Sequence, residues 1–302
     1  MGLAWCLHRI WIIILNQQMQ LTAAWLQQHF PDLAGIRPLS QGGQKQVFEA
    51  RHVDDGDVVL KLIGTGQDLE RTMRELLAAS QVKSPRIPEI HDHGTIATPI
   101  GDCLWFRERR VPGAPVNELL INGPLTKERY LRLGLHILET LLAAETADIV
   151  HRDIKPQNII LDPGEDFWLI DFGLARHLGL ESLTETAAVF GNVTWGYAPP
   201  EQCRNIKQDI DHRADLFALG VTLYECATAT QPFRDGARDA LEVLTRVEKM
   251  QLPPLSVNFA EAKSFVDLVG ALTQKRRDHR PPTIQYAYDW VSEICRLEGC
   301  SW

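Results

Sequence analysis

The residues best suited to do chemistry lie in the run HRDIKPQN at positions 151–158 and in the triplet DFG at 171–173. Asp153 can accept the proton of an incoming hydroxyl group, and Lys155 can reach a phosphoryl group in transfer. The side-chain oxygens of Asn158 and Asp171 are ligands that magnesium accepts. These residue types at this spacing indicate phosphoryl transfer.

Position by position, the two segments resemble the eukaryotic-like Ser/Thr protein kinase family in its bacterial, single-domain form. Lysine at position 155 is typical of Ser/Thr rather than Tyr kinases. The resemblance implies an α+β, bilobal protein-kinase fold, with a small antiparallel β-sheet lobe that carries one helix and a larger, mainly helical lobe. It also implies ATP as the phosphoryl donor, Mg²⁺ as the metal with Mn²⁺ as an alternative, and a protein substrate with a Ser or Thr acceptor.

The segment at residues 39–50 resembles the glycine-rich strand, turn and strand that lie over the nucleotide phosphates. It departs from the family pattern, because Ser40 and Lys45 stand at two of the three glycine positions. Only Gly42 remains, with Gly43 beside it. The loop alone does not distinguish a nucleotide site from an ordinary β-turn.

Lys61 follows that loop on the next predicted strand, where the family has the lysine that binds the α- and β-phosphates. The resemblance places Val59 above the adenine ring and Ile160 below it, and it makes Val47 a further nucleotide-binding residue. The bulk of Val59, where alanine is usual, is expected to narrow this slot.

Glu75 is the predicted partner of Lys61, because it lies fourteen residues past the lysine on a predicted helix. Glu70 competes for this role, but aligning it with the family's glutamate would put the other landmark residues of the helix out of register with the family pattern. At the end of the fifth strand, Glu108 falls at the gatekeeper position and Arg109 at the hinge position where the family often has glutamate. These charged residues replace the apolar residue and the Glu-Tyr pair that are customary there, which predicts a polar back pocket.

Hydroxyl groups of the activation segment are the predicted regulatory sites. Because Arg152 precedes the catalytic Asp153, the resemblance implies that a phosphate on the segment orders it through this arginine. Thr184 and Thr186 are the preferred acceptors, against the alternative of an unmodified loop. Thr194 is expected to contact Asp153 and so to favour Ser or Thr substrates.

Three further charged residues are predicted to be structural. Glu201, in a segment similar to the family's A-P-E motif, is expected to pair with Arg280, and Asp215 is expected to cap the catalytic loop from a central helix. A buried charge without a partner would cost several kcal/mol, so each half of such a pair implies the other.

Hydrophobic periodicity predicts strands and one helix before about residue 111 and mostly helices after it. We therefore expect an N-terminal helical extension at residues 1–35, a small lobe at 36–111 and a large lobe at 112–302. The predicted strands are residues 47–53, 57–63, 87–91 and 103–111, and the predicted helices are residues 68–81, 126–144, 216–229, 237–249, 260–272 and 284–295. The sequence PGAP at 112–115 predicts an irregular hinge.

The N-terminus is apolar, and three interpretations of it remain open. Residues 3–15 form about a dozen apolar positions, too few to span a bilayer, which needs ~20. The segment is a helix docked on the fold, an interfacial membrane contact, or an extension upstream of a true start at Met19. Residues 19–22 open a plausible capped helix that continues to Phe30.

Composition narrows the function classes. The net charge of −8 argues against nucleic-acid binding. Six cysteines without C-x-x-C pairs favour free thiols and a cytoplasmic protein. The oligomeric state is left open. The leading hypothesis is an active protein kinase that autophosphorylates; a small-molecule phosphotransferase and a nucleotide-binding pseudokinase scaffold are the alternatives.

Overall fold

The computed structural model describes residues 21–41, 45–64, 69–99, 101–172, 194–204 and 210–300. Of these residues, those up to Arg74 form one compact unit together with Pro88–Arg110, and Glu75–Ile87 form the other unit together with those from Val111 onward. Within the described residues, no helix is long and apolar enough to cross a membrane.

The first unit is built on an antiparallel five-stranded sheet with strand order β1-β2-β3-β5-β4. Its elements are α1 (Ala23–His29), β1 (Leu33–Gln41), β2 (Lys45–His52), β3 (Gly56–Gly64), the start of α2 (Leu69–Ser80), β4 (Ile90–Thr98) and β5 (Gly101–Arg109). The predicted strand at 87–91 is wrong in its bounds. The real β4 lies at the edge of the sheet and is mostly polar, so it lacks the apolar alternation that marks a half-buried strand.

The predicted capped helix near the N-terminus is present as α1. The Thr22 hydroxyl accepts a hydrogen bond from the backbone N–H of Trp25 at 3.2 Å. This bond caps the helix, because the N–H groups of a first turn have no acceptor within the helix itself. Leu26 is fully buried and packs with Phe48 and Leu60 on one face of the sheet. The helix is therefore part of the hydrophobic core of this unit.

A polar network stabilises the same face of the sheet. The guanidinium of Arg107 lies 3.0 Å from Asp32 and 2.9 Å from Asp55, and His52 Nε2 lies 2.9 Å from Asp32. Arg107 and His52 are both only 8% exposed. The network fastens the segment after α1 to the β2–β3 turn, a contact that the sequence analysis did not predict.

The second unit is mainly helical and carries a small three-stranded sheet. Its elements after the end of α2 are β6 (Ala114–Pro115), α3 (Val116–Leu119), α4 (Lys127–Thr146), β7 (Ile159–Leu161), β8 (Phe167–Leu169), α5 (Pro200–Cys203), α6 (Arg213–Thr228), α7 (Ala240–Lys249), α8 (Ala262–Leu272) and α9 (Ile284–Leu297). Short 3₁₀ turns occupy Leu120–Asn122, Pro156–Asn158 and Arg277–His279. Helix α6 is buried along most of its length, as its apolar sequence indicates.

The prediction that residues 112–115 are irregular is wrong for the last two residues of the segment, because Ala114 and Pro115 form β6 and pair with β7. Gly113 makes this approach possible. Its φ is +120°, and a Cβ atom there would lie 2.1 Å from the carbonyl oxygen of Leu161. Only glycine combines this backbone angle with so close a contact.

His136 on α4 gives the second unit a predicted dependence on pH. Its Nδ1 accepts a hydrogen bond from the backbone N–H of Phe167 at 3.1 Å. Burial, followed by the positive charge of Arg86, lowers the pKa of His136 to about 4. The ring is therefore neutral at pH 7, and its 3.5 Å approach to Asp166 is not an ion pair.

We expect acid to destabilise this unit through His136. An unfolded histidine has a pKa of about 6.5, so between about pH 4 and 6.5 the unfolded chain binds more protons than the folded one. Stability is then complete above about pH 6.5 and falls by up to ~3 kcal/mol as the pH drops to about 4. Urea unfolding at pH 5.0 and 7.5 measures the loss.

The variant His136→Gln keeps a hydrogen-bond acceptor and should lose less stability than the parent over the same pH interval. The matched control His279→Gln alters an exposed histidine and should behave as the parent does. An identical acid dependence in the parent and in His136→Gln would refute this origin.

Candidate active site

The catalytic-loop candidate begins with a backbone turn that Asp215 holds in place. Arg152 has a φ of +66°, a left-handed conformation that is unfavourable for a residue with a side chain. The carboxylate of Asp215 accepts hydrogen bonds from the backbone N–H groups of His151 and Arg152, both at 2.7 Å. Asp215 is 1% exposed, and burial raises its pKa while the two N–H donors oppose that change. The central helix α6 thus fixes the turn that precedes Asp153.

His151 connects this turn to the end of β8. Its Nδ1 accepts from the backbone N–H of Asp153 at 3.3 Å, so Nε2 carries the proton and donates to the carbonyl oxygen of Ile170 at 3.2 Å. Its ring also contacts the ring of Phe172 edge to face, with centroids 4.9 Å apart. A fully buried histidine therefore joins the two segments that carry Asp153 and Asp171.

The carboxylate of Asp153 is the centre of a compact hydrogen-bonded group. Lys155 Nζ lies 2.9 and 2.7 Å from its two oxygens, and the hydroxyl of Thr194 donates to Oδ1 at 2.6 Å. Asn158 Nδ2 donates to Oδ2 at 2.8 Å, and Lys155 also donates to the Thr194 hydroxyl at 2.8 Å. The group places a base, a cation and a hydroxyl side chain within hydrogen-bonding distance of one another.

Asn158 and Asp171 are brought together by the β7–β8 hairpin. Ile159 pairs with Leu169, and the backbone N–H of Ile170 donates to the carbonyl oxygen of Asn158 at 2.9 Å. Asp171 follows directly, with a φ of +64°. The two candidate metal ligands therefore lie at the same end of one hairpin.

The side-chain oxygens of Asn158 and Asp171 are ligands that suit a hard cation. Both hydrogen bonds of the Asn158 amide that involve Asp153 use Nδ2, one to the backbone carbonyl and one to the carboxylate, each at 2.8 Å. The side-chain oxygen of Asn158 is then directed away from these two acceptor oxygens of Asp153. With the carboxylate of Asp171 it offers the oxygen ligands that Mg²⁺ requires, and a cation there would neutralise phosphate charge.

In the first unit, Lys61 lies on β3 and is 2% exposed. Its ammonium group forms an ion pair with the carboxylate of Glu108 on β5. The sequence analysis predicted Glu75 as the partner of Lys61 and did not predict Glu108. The Glu75 side chain lies outside the described part of the structure, so its role stays a prediction. Glu70, the competing candidate, is described and exposed.

The other predicted nucleotide-binding residues are distributed over both units. Val47 and Val59 flank Lys61 on the same face of the first sheet, since Val47 pairs with Lys61 across β2 and β3. Ser40 lies near the end of β1, and Ile160 lies on β7 of the second unit. Gly42 and Gly43 lie outside the described residues.

The predicted phosphorylation sites Thr184 and Thr186 also lie outside the described residues. Beyond them, Gln202 at the end of α5 donates from Nε2 to the backbone carbonyl oxygen of Arg152 at 2.8 Å. The sequence analysis missed this residue. Its position next to Glu201 in the A-P-E-like segment was the available signal.

The Glu201 carboxylate and the Arg280 guanidinium form two parallel hydrogen bonds, Nη1 to Oε1 at 2.6 Å and Nη2 to Oε2 at 3.0 Å. The side chain of Arg280 is 0% exposed and that of Glu201 10%. This pair joins α5 to the turn before α9, and it therefore fixes one end of the segment that carries Thr194.

A five-stranded antiparallel sheet with a buried lysine, and a helical unit with an Asp-centred loop beside the hairpin that carries the candidate metal ligands, are features of the protein-kinase class. Comparison with known proteins agrees, because the protein kinase domain model matches residues 34–290. The chain therefore belongs to the protein kinase domain family, and the predicted α+β fold and family membership are confirmed.

Similar proteins include several bacterial kinases. Serine/threonine-protein kinase PknH of Mycobacterium bovis is 35% identical over 206 residues, which are 66% of this chain and 33% of PknH. PknD of Mycobacterium tuberculosis is 33% identical over 226 residues, 72% of this chain and 32% of PknD. PknB of the same species is 32% identical over 206 residues, 65% of this chain and 32% of PknB. The chain spans about a third of the length of these relatives.

Proposed function

We propose that this chain is an ATP- and Mg²⁺-dependent protein serine/threonine kinase. The observation that carries the proposal is the group around Asp153, in which Lys155 and Thr194 share its carboxylate. Family membership and the names of the relatives support the same activity.

In this proposal the oxygen of the substrate hydroxyl attacks the γ-phosphorus of ATP, and Asp153 accepts the proton of that hydroxyl. The bond between that phosphorus and the bridging oxygen breaks, and its electron pair leaves with ADP. Lys155 neutralises charge on the phosphoryl group in transfer, while Lys61 binds the α- and β-phosphates. Asn158 and Asp171 would hold Mg²⁺, which supplies charge neutralisation at the phosphate oxygens.

Thr194 supports a Ser or Thr acceptor. The Thr194 hydroxyl donates a hydrogen bond to Asp153 and accepts one from Lys155. The surroundings of Asp153 therefore already accommodate an aliphatic hydroxyl group, which is the group that a Ser or Thr substrate would bring. Phosphorylation of Thr184 or Thr186, with ordering of the segment by Arg152, stays a prediction of the sequence analysis.

The test is incubation of the purified protein with Mg²⁺, γ-labelled ATP and a generic basic protein. We expect label in phosphoserine or phosphothreonine of the basic protein or of the chain itself. Intact-mass measurement gives the number of phosphates added, and peptide mapping shows whether Thr184 or Thr186 carries them. Nucleotide binding without any transfer would indicate a pseudokinase, and transfer only to small molecules would contradict a protein substrate.

A further inference from the structure

Glu108 contacts Lys61 because of the register of two neighbouring strands. Lys61 lies opposite Phe106, and Val59 lies opposite Glu108, in the antiparallel pairing of β3 with β5. Residues two apart on a strand point to the same face. Lys61 and Glu108 are therefore diagonal neighbours on one face, within reach of each other's long side chains.

The surroundings of the pair make each charge depend on the other. Lys61 is 2% exposed and Glu108 is 7% exposed, and the Lys61 ammonium also lies 5.4 Å from the centroid of the Phe106 ring. The ring face attracts the ammonium weakly, but a buried ammonium among apolar strand residues is unfavourable unless an anion compensates it. Glu108 provides a carboxylate for this purpose from within the sheet.

The pair is also contained in one structural unit. Helix α2, which carries the predicted partner Glu75, is divided, since residues up to Arg74 belong to the sheet unit and residues from Glu75 belong to the helical unit. Lys61 and Glu108, by contrast, lie on adjacent hydrogen-bonded strands. Their contact is held by the backbone ladder between β3 and β5 and needs no helix.

We propose that Glu108 is a positioning residue that holds Lys61 in its charged, phosphate-binding orientation through a contact internal to the sheet. This inference rests on the proposed kinase function for its catalytic consequence. The rate of phosphotransfer then depends on Glu108, and the orientation of Lys61 persists when Glu75 makes no contact with it.

Three substitutions test the proposal. Glu108→Gln removes the charge and keeps the size of the side chain, whereas Glu108→Asp keeps the charge on a shorter chain. The matched control is Glu89→Gln, because Glu89 is an exposed glutamate of the same unit that directly precedes β4. Circular dichroism establishes that each variant is folded.

The first measurement is steady-state kinetics. We expect Glu108→Gln to lower kcat by about tenfold and to change the KM for ATP by less than about threefold, because misplacing a charged group affects the transition state most. Glu108→Asp should recover a large part of kcat, and Glu89→Gln should match the parent. A kcat for Glu108→Gln within about twofold of the parent overturns the proposal. An increased kcat also overturns it, because the carboxylate would then compete with the phosphates for Lys61.

The second measurement needs no catalysis. A pH titration of the Lys61 ε-carbon by NMR in nucleotide-free, ¹³C-lysine-labelled protein follows the ammonium directly, with the signal assigned from Lys61→Arg. Loss of the Glu108 charge should lower the pKa of Lys61 in Glu108→Gln, whereas Glu89→Gln should leave it unchanged. An unchanged titration in Glu108→Gln excludes the pairing role.

The two measurements separate the possible failures. If the parent transfers no phosphate, the proposed function fails, and the NMR titration still decides whether Glu108 holds Lys61. If the parent is active and both measurements leave Glu108→Gln unchanged, only the role of Glu108 fails.

Discussion

Asp153→Asn is expected to lower the rate of phosphotransfer by about 10²- to 10⁴-fold, the usual contribution of a general base. Asparagine has nearly the same shape but cannot take up the proton of the incoming hydroxyl. It also removes the anion that Lys155 approaches at 2.7 Å, so this cation loses its orientation as well. Initial rates with labelled ATP measure the change.

The control for this variant is Asp267→Asn, which alters an exposed carboxylate that pairs with Lys263 one helical turn away on α8. A surface pair of this kind is screened by solvent and contributes little to stability, so the control should be fully active. Nucleotide affinity of Asp153→Asn should stay close to that of the parent. A variant that labels as fast as the parent would exclude Asp153 as the base.

Local sequence was sufficient to locate the loop around Asp153, because its residues are close together along the chain. Asp153, Lys155 and Asn158 span six positions, and a short hairpin brings Asp171 to the same end. The periodic apolar stretches likewise predicted the long helices α4, α6 and α9 to within a few residues. Short-range geometry of this kind depends little on tertiary context.

The sequence failed where contacts depend on strand register. Glu108 is 47 residues from Lys61, and only the pairing of β3 with β5 places them on one face. A charged residue following the apolar run at 103–106 was a signal, but it could not be interpreted without the register. Linear spacing directed the prediction to Glu75 instead.

Edge elements were missed for a related reason. Strand β4 is polar and partly exposed, and β6 is two residues long and contains a proline, so neither has a periodic pattern. Their strand conformation comes from a neighbour that supplies hydrogen bonds. Tertiary context overrides local propensity at such positions.

The buried pair of Glu201 and Arg280 is where we expect the largest loss of stability. Arg280 donates two hydrogen bonds to the carboxylate and others to the backbone carbonyl oxygens of Gln274, Arg213 and Lys275, at 2.8, 3.0 and 3.2 Å. With Glu201 removed, a guanidinium that is 0% exposed keeps its charge and loses its anion. Breaking a buried pair in this way costs about 3–5 kcal/mol.

Urea unfolding of Glu201→Gln measures this cost at pH 7. The matched control is Arg276→Ala, which breaks an exposed pair with Asp278 at 2.6 Å and should leave the free energy of unfolding close to that of the parent. A free energy of unfolding for Glu201→Gln within about 1 kcal/mol of the parent would contradict the prediction.

The double variant Glu201→Gln with Arg280→Met shows whether the charge pairing or the other contacts of Arg280 dominate. Methionine fills part of the space without a charge but leaves three backbone carbonyl oxygens without their donor. We therefore expect the double variant to remain less stable than the parent, yet to lose less than the sum of the single variants by about 1–3 kcal/mol. Additive losses would mean that the two side chains contribute separately. The loss would then come from the backbone hydrogen bonds of Arg280 rather than from the ion pair.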